Sequence, residues 1–131
     1  MDLGIKGKRA LITGGSGGMG IETIKRFIEA GATATATATA TDLKDEDLEP
    51  VRKELGIGCI AGDLPSKAGL DDFIAKTGTD FDIWVHAAGV TGDKGDPLQM
   101  SQEAWENALN IDFLSGVRMA RPLCPAMIDR G

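Results

Sequence analysis

The chain contains no tyrosine, one histidine and two cysteines, and aromatic residues make up only 5% of it. Without tyrosine, no phenol is available to donate or accept a proton, so any acid–base chemistry in these residues must use other groups. The two thiols, Cys59 and Cys124, lie far apart and form no CxxC pair, which points to buried free cysteines rather than a disulfide or a metal site. No apolar run reaches the roughly 18–20 residues needed to cross a bilayer. The opening MDLGIKGKRALITGG likewise holds no apolar stretch of signal-peptide length. The chain is therefore expected to be cytoplasmic, with no membrane partner. An excess of base is lacking too: 14 basic residues face 20 acidic ones, for a net charge of −6. No Coulombic attraction draws such a chain to nucleic-acid phosphates.

What is present is the balance of a globular protein, 42% apolar and 26% charged over 131 residues. That length fits one domain, residues 1–131, since domains most often run to roughly 100–150 residues. Lys8 to Thr13 (KRALIT) reads as a buried parallel strand that stops at a cluster of glycines. From Gly18 the spacing turns helical, with Ile21, Ile24 and Ile28 on one face, and Gly31 closes the helix in a left-handed conformation. A strict threonine and alanine alternation from Ala32 to Thr41 has the period of a strand, though its side chains are small for one covered on both faces. A repeat expansion with its surplus looped out fits the same residues.

Asp42 to Leu55 predicts a helix, provided that Pro50 sits in its first turn. Ile57 to Ala61 and Phe81 to Val85 predict strands, and Ala68 to Ala75 predicts a short helix between them. Ser101 is placed to cap a long helix with Trp105, Leu109, Phe113 and Val117 along one side. Alternating strand and helix argue for an α/β, doubly wound parallel sheet of Rossmann type. Right-handed crossovers order its four strands 3-2-1-4. The outer edge of the fourth strand is then unpaired, so the sheet is incomplete.

Thr13-Gly14-Gly15-Ser16-Gly17-Gly18-Met19-Gly20 lies between the first strand and the first helix, where a phosphate-binding turn belongs. Glycines there let the backbone approach a pyrophosphate, and the helix N-terminus supplies N–H donors with partial positive charge. Gly15, Gly17 and Gly20 satisfy a GxGxxG spacing, and Gly14, Gly18 and Gly20 satisfy TGxxxGxG. Asp42 lies 22 residues beyond Gly20, close to where dinucleotide-binding domains carry an acidic residue for the ribose. It could equally cap the following helix. Asp63 stands where a turn aspartate would also be at home. His86, the sole histidine, ends a strand and reads as structural rather than as a base.

The glycine run, His86-Ala87-Ala88-Gly89, and Asn110 in NALNIDFLSGVRMARPLCPAMIDRG together resemble the N-terminal half of a classical short-chain dehydrogenase/reductase. The resemblance covers essentially the whole chain, in the family's order, and favours the wider glycine register. It implies a nicotinamide cofactor held by Gly14, Ser16, Gly17, Gly18, Met19 and Gly20. Asp42 and Leu43 would sit at the ribose, Asp63 and Leu64 around the adenine, and Ala87, Ala88 and Gly89 along the cofactor. Asp42 and the absence of a basic side chain at Gly17 favour NAD, with NADP possible because Lys44 is close by. Ala87 stands where the family has an asparagine that steadies the sheet.

Asn110 matches the catalytic asparagine of the proton relay, with Asn107 one turn earlier as the rival. The family's serine, tyrosine and lysine have no match in this chain, so it is expected to be inactive alone. The implied function is hydride transfer between the cofactor and a small alcohol or ketone, by a protein that is a homo-oligomer at full length. A catalytically silent nucleotide-binding or self-associating module, or a decayed gene product that folds poorly, are the other readings of the same features.

Overall fold

Four parallel strands form one sheet in the order β3-β2-β1-β4, as the alternation of elements predicts. The computed structural model describes residues 2–38, 45–92 and 94–131. β1 (Arg9–Thr13) lies at the centre and starts one residue later than predicted. Ala10 to Thr13 are fully buried, because helices cover the sheet on both faces, and Ala10 to Ile12 are therefore continuously apolar instead of alternating. β2 (Thr33–Ala38) and β4 (Ile83–His86) flank β1, and the register sets Thr13 between Thr37 and His86. β3 (Gly58–Ala61) completes the sheet beyond β2. β3 and β4 are each shorter than their predicted runs. The apolar residue before β4, Phe81, is a core residue and not a strand residue.

Alternation along β1 divides the core in two. Ala10 and Ile12 face Ile24 of α1 (Gly18–Glu29), Val51 of α2 (Glu49–Leu55), Ala34 and Cys59. Leu11 faces the opposite way, toward Leu70 and Phe73 of α3 (Lys67–Thr77), Leu64 and Phe81. Full burial of a leucine or phenylalanine is worth about 1.5–3 kcal/mol, so Leu11 and Phe73 are principal anchors of this second core.

α1 ends as predicted. The Gly31 N–H donates to Ile28 O and the Ala32 N–H to Phe27 O, both at 2.9 Å, with Gly31 at φ +80°. Of the threonine and alanine run, 33–38 is strand, with Ala34 buried, and 39–41 lies outside the described residues. Asp42 and Leu43, the predicted ribose contacts, also lie outside them. The predicted helix begins as a 3₁₀ turn at Asp45–Leu48 and becomes α2 with Pro50 in the first turn, where no N–H is needed. Cys59 is buried as expected, whereas Cys124 is half-buried; both are free.

Ser101 caps the long helix, its Oγ accepting the Ala104 N–H at 3.1 Å. The helix runs as α4 (Gln102–Leu109), a π turn (Asn110–Leu114) and α5 (Ser115–Arg130). Here the predicted apolar stripe is corrected. Trp105, Leu109, Phe113 and Val117 are 40–63% exposed, while Ile111, Ser115, Met119 and Leu123 form the buried face. The π turn adds a residue to one turn and so changes which residues of the helix point inward. No described helix is long and apolar enough to cross a membrane.

Candidate functional site

The C-terminal ends of β1 and β4 bring the predicted motifs together. Gly14 adopts φ +73°, and a Cβ on it would lie 2.6 Å from Ala87 O and 2.7 Å from Ala88 Cα. Gly20 is equally constrained, since its Cβ would lie 2.2 Å from Gly14 O. Both glycines therefore serve close packing of the turn on β4 and on the first turn of α1. Gly18 differs: a Cβ there would meet no atom within 4 Å.

The Gly17 N–H is taken by Gly14 O at 3.1 Å, and the Ile21 N–H by Gly17 O at 2.9 Å. The N–H groups of Gly18, Met19 and Gly20 have no acceptor among the described residues, as expected for a helix start without a side-chain cap. The first turn of α1 carries no acidic residue. Met19 projects into solvent and Ser16 is half-buried beside the turn. An anion could approach this helix end through open space, toward three free donors and the positive end of the helix dipole.

His86-Ala87-Ala88-Gly89 runs between the glycine turn and the π turn. The Ala87 N–H donates to Thr13 O at 3.0 Å and extends the β1–β4 ladder by one bond. Ala88 is buried, and a Cβ on Gly89 would come within 3.2 Å of Asp112 Oδ1. That same carboxylate oxygen accepts the Val90 N–H at 2.7 Å. His86 Nδ1 lies 2.9 Å from Thr13 Oγ1 and Nε2 lies 3.3 Å from Ser115 Oγ. Burial pushes the His86 pKa below its ordinary 6.5, against the opposing pull of Asp112.

Asn110 opens the π turn, and its side-chain Oδ1 accepts Arg118 Nη1 at 2.7 Å. The same Arg118 nitrogen donates to Pro65 O at 3.0 Å, tying α5 to the segment after β3. Asp63 is exposed at the end of β3, with its backbone carbonyl engaged by the Ser66 N–H at 3.2 Å. Leu64 is fully buried in the second core, so only its backbone is open to a ligand. Asn107 and Asn110 both border an open groove of about 980 Å³, together with Val90, Gly92, Ser101 and Glu103. The sequence reading takes Thr13 only as the start of the glycine motif, and it gives three residues here no role: Asp112, Ser115 and Arg118. One signal was available, and only for Ser115. Gly116, which follows Ser115, costs a helix roughly 1 kcal/mol relative to alanine and so marks a close approach. A Cβ there would lie 3.0 Å from His86 Cδ2.

Residues 8–131 match the short chain dehydrogenase family. The chain belongs to that family. It is 27% identical over 97% of its length to 3beta-hydroxysteroid dehydrogenase 2 of Eggerthella lenta, covering 50% of that protein. It is 32% identical over 85% of its length to a (2S)-[(R)-hydroxy(phenyl)methyl]succinyl-CoA dehydrogenase subunit of Thauera aromatica, covering 46% of it. Among solved structures, L-sorbose reductase of Gluconobacter frateurii in complex with NADPH and L-sorbose superposes with a TM-score of 0.78 at 29% identity. That match covers 100% of this chain and 51% of the reductase. The chain thus spans about half the length of the relatives it matches. The family's doubly wound α/β fold is the fold described above.

Proposed function

We propose that these residues are the dinucleotide-binding portion of a nicotinamide-dependent oxidoreductase that acts on a small alcohol or ketone. The observation that carries this reading is the start of α1, where Gly18 faces open space and three backbone N–H groups lack partners. A pyrophosphate fits that cradle in charge and in hydrogen-bonding capacity. Gly14, Ser16, Gly17, Gly18, Met19 and Gly20 hold it. Ala87, Ala88 and Gly89 offer the small side chains past which a cofactor can lie, and Asp63 with the Leu64 backbone receives the adenine end. When bound, the nicotinamide supplies or accepts the hydride.

The chain's own residues bind and orient. Asp42 and Leu43 take the ribose side, and the carboxylate of Asp42 repels the extra phosphate of NADP. NAD is therefore the preferred cofactor, although the related L-sorbose reductase was solved with NADPH. Asn110, with its amide oxygen fixed by Arg118, contributes to the proton relay on the groove side. No tyrosine is present in the chain to donate the proton, so these residues alone bind cofactor and do not turn it over. The exposed stripe from Trp105 to Val117 serves subunit association in the intact homo-oligomer.

Titration with NADH and NADPH, followed by nucleotide fluorescence, tests this reading. Saturable binding that favours NADH is expected. Gly18→Val should abolish it at unchanged circular dichroism, because the added side chain fills only the open approach. Asp42→Ala should bring the affinities for the two cofactors together. Tighter binding of NADPH by the unaltered chain would overturn the assignment of NAD.

A further inference from the structure

Thr13 and Ser115 are the two buried polar side chains of the described core, and both meet one ring. The protons on that ring follow from counting donors. The Ser115 hydroxyl has a single hydrogen, which it gives to Ile111 O at 2.5 Å, so toward His86 it can only accept. Nε2 therefore carries the ring proton. Nδ1 is bare and accepts the Thr13 hydroxyl at 2.9 Å, a shorter contact than the 3.3 Å from that hydroxyl to Val85 O. A neutral imidazole satisfies every member of the chain, in keeping with its burial.

The ring joins two places that matter. Thr13 immediately precedes Gly14, and Ser115 closes the π turn by donating its N–H to Asn110 O. Gly116 leaves room for the imidazole, since a Cβ there would lie 3.2 Å from Nε2. Trp84 flanks the ring at 5.4 Å between centroids, tilted by 50°. Asp112, from the same π turn, is bonded to Val90 just beyond the strand.

We propose that His86 is a positioning residue: through Thr13 and Ser115 its imidazole holds the π turn that carries Asn110 in fixed relation to the glycine turn after β1. The inference rests on the cofactor reading above. It makes the two ends of the site one mechanical unit, so that ordering the glycine turn also orders the turn around Asn110.

The test uses the intact protein and ADP-ribose, which carries the pyrophosphate but no nicotinamide and so cannot itself reach the relay. Amide hydrogen exchange at Ser115 is the readout. Saturating ADP-ribose should slow it by about tenfold, a coupling of ordinary size between two sites. In Ser115→Ala and in His86→Phe the slowing should fall below about twofold, at unchanged affinity for the ligand. His86→Phe leaves no orphaned donor, because Thr13 retains Val85 O and Ser115 retains Ile111 O. In Ser115→Ala the Nε2–H loses its acceptor, and the ring can move its proton to Nδ1 and donate to Thr13 Oγ1 while that hydroxyl donates to Val85 O. The ring ¹⁵N signals add a signature that a merely space-filling role would not move. Nε2 should be protonated and Nδ1 bare in the parent, and the two forms should mix in Ser115→Ala. Equal slowing in parent and variants would overturn the proposal while leaving the cofactor site standing. Failure of the parent to bind ADP-ribose would overturn both.

Discussion

At the scale of single residues, the glycines of the turn divide by task, and mutation should separate them. Gly14→Ala and Gly20→Ala force a Cβ to within 2.2–2.7 Å of backbone atoms, so they should destabilise the fold by about 1–3 kcal/mol or more, measured by urea unfolding. Gly18→Val should leave the urea midpoint in place and remove nucleotide binding. The sequence shows that glycines cluster here, but not which ones pack and which one stays open, because that depends on how closely β4 approaches the turn. His86 yields a pH dependence. Its pKa is depressed below 6.5 in the fold, so as pH falls the unfolded chain takes the proton first and stability declines below that value. The His86→Phe variant should show a flatter stability profile between pH 7.5 and 5.5. Asp82 titrates in a separate window, because the Arg9 N–H holds its carboxyl below 3.8 and its contribution is lost only under more acid conditions.

At the scale of elements, the strands and helix ends were the most legible features. β1 ends where the glycines begin, Gly31 terminates α1, and Ser101 caps α4, each because one residue type satisfies a specific backbone need. Ser101→Ala should cost about 1 kcal/mol in thermal or urea unfolding, the usual worth of an N-cap hydroxyl. The long helix was legible in extent but not in orientation. Large apolar residues four apart suggested its inner face, yet the interior takes Ile111, Ser115, Met119 and Leu123. A π turn leaves no mark in apolar periodicity, and neither does the burial of a serine beside a histidine from another element. Its position at Asn110 is consistent with the frequent occurrence of such turns at functional sites.

At the scale of the whole molecule, the order of strands followed from the alternation of elements and the handedness of crossovers, without reference to any side chain. The candidate site is likewise a consequence of topology, since parallel strands deliver the glycine turn, the His86–Gly89 run and the Asp63 turn to one end of the sheet. What could not be read is how the C-terminal end of β4 meets the π turn, because those contacts join residues more than 20 apart in sequence, such as Val90 and Asp112. Given that no tyrosine is present, a protein of these residues alone should bind NADH and show no oxidation of it by small ketones. The most direct measurement of the central claim is the amide NMR spectrum during NADH titration. The account predicts that the amides of Gly18, Met19 and Gly20 shift together and saturate, as their free N–H groups take up the pyrophosphate. Saturable shifts confined to the groove beside Ser101 and Asn107, with those three amides unmoved, would contradict it.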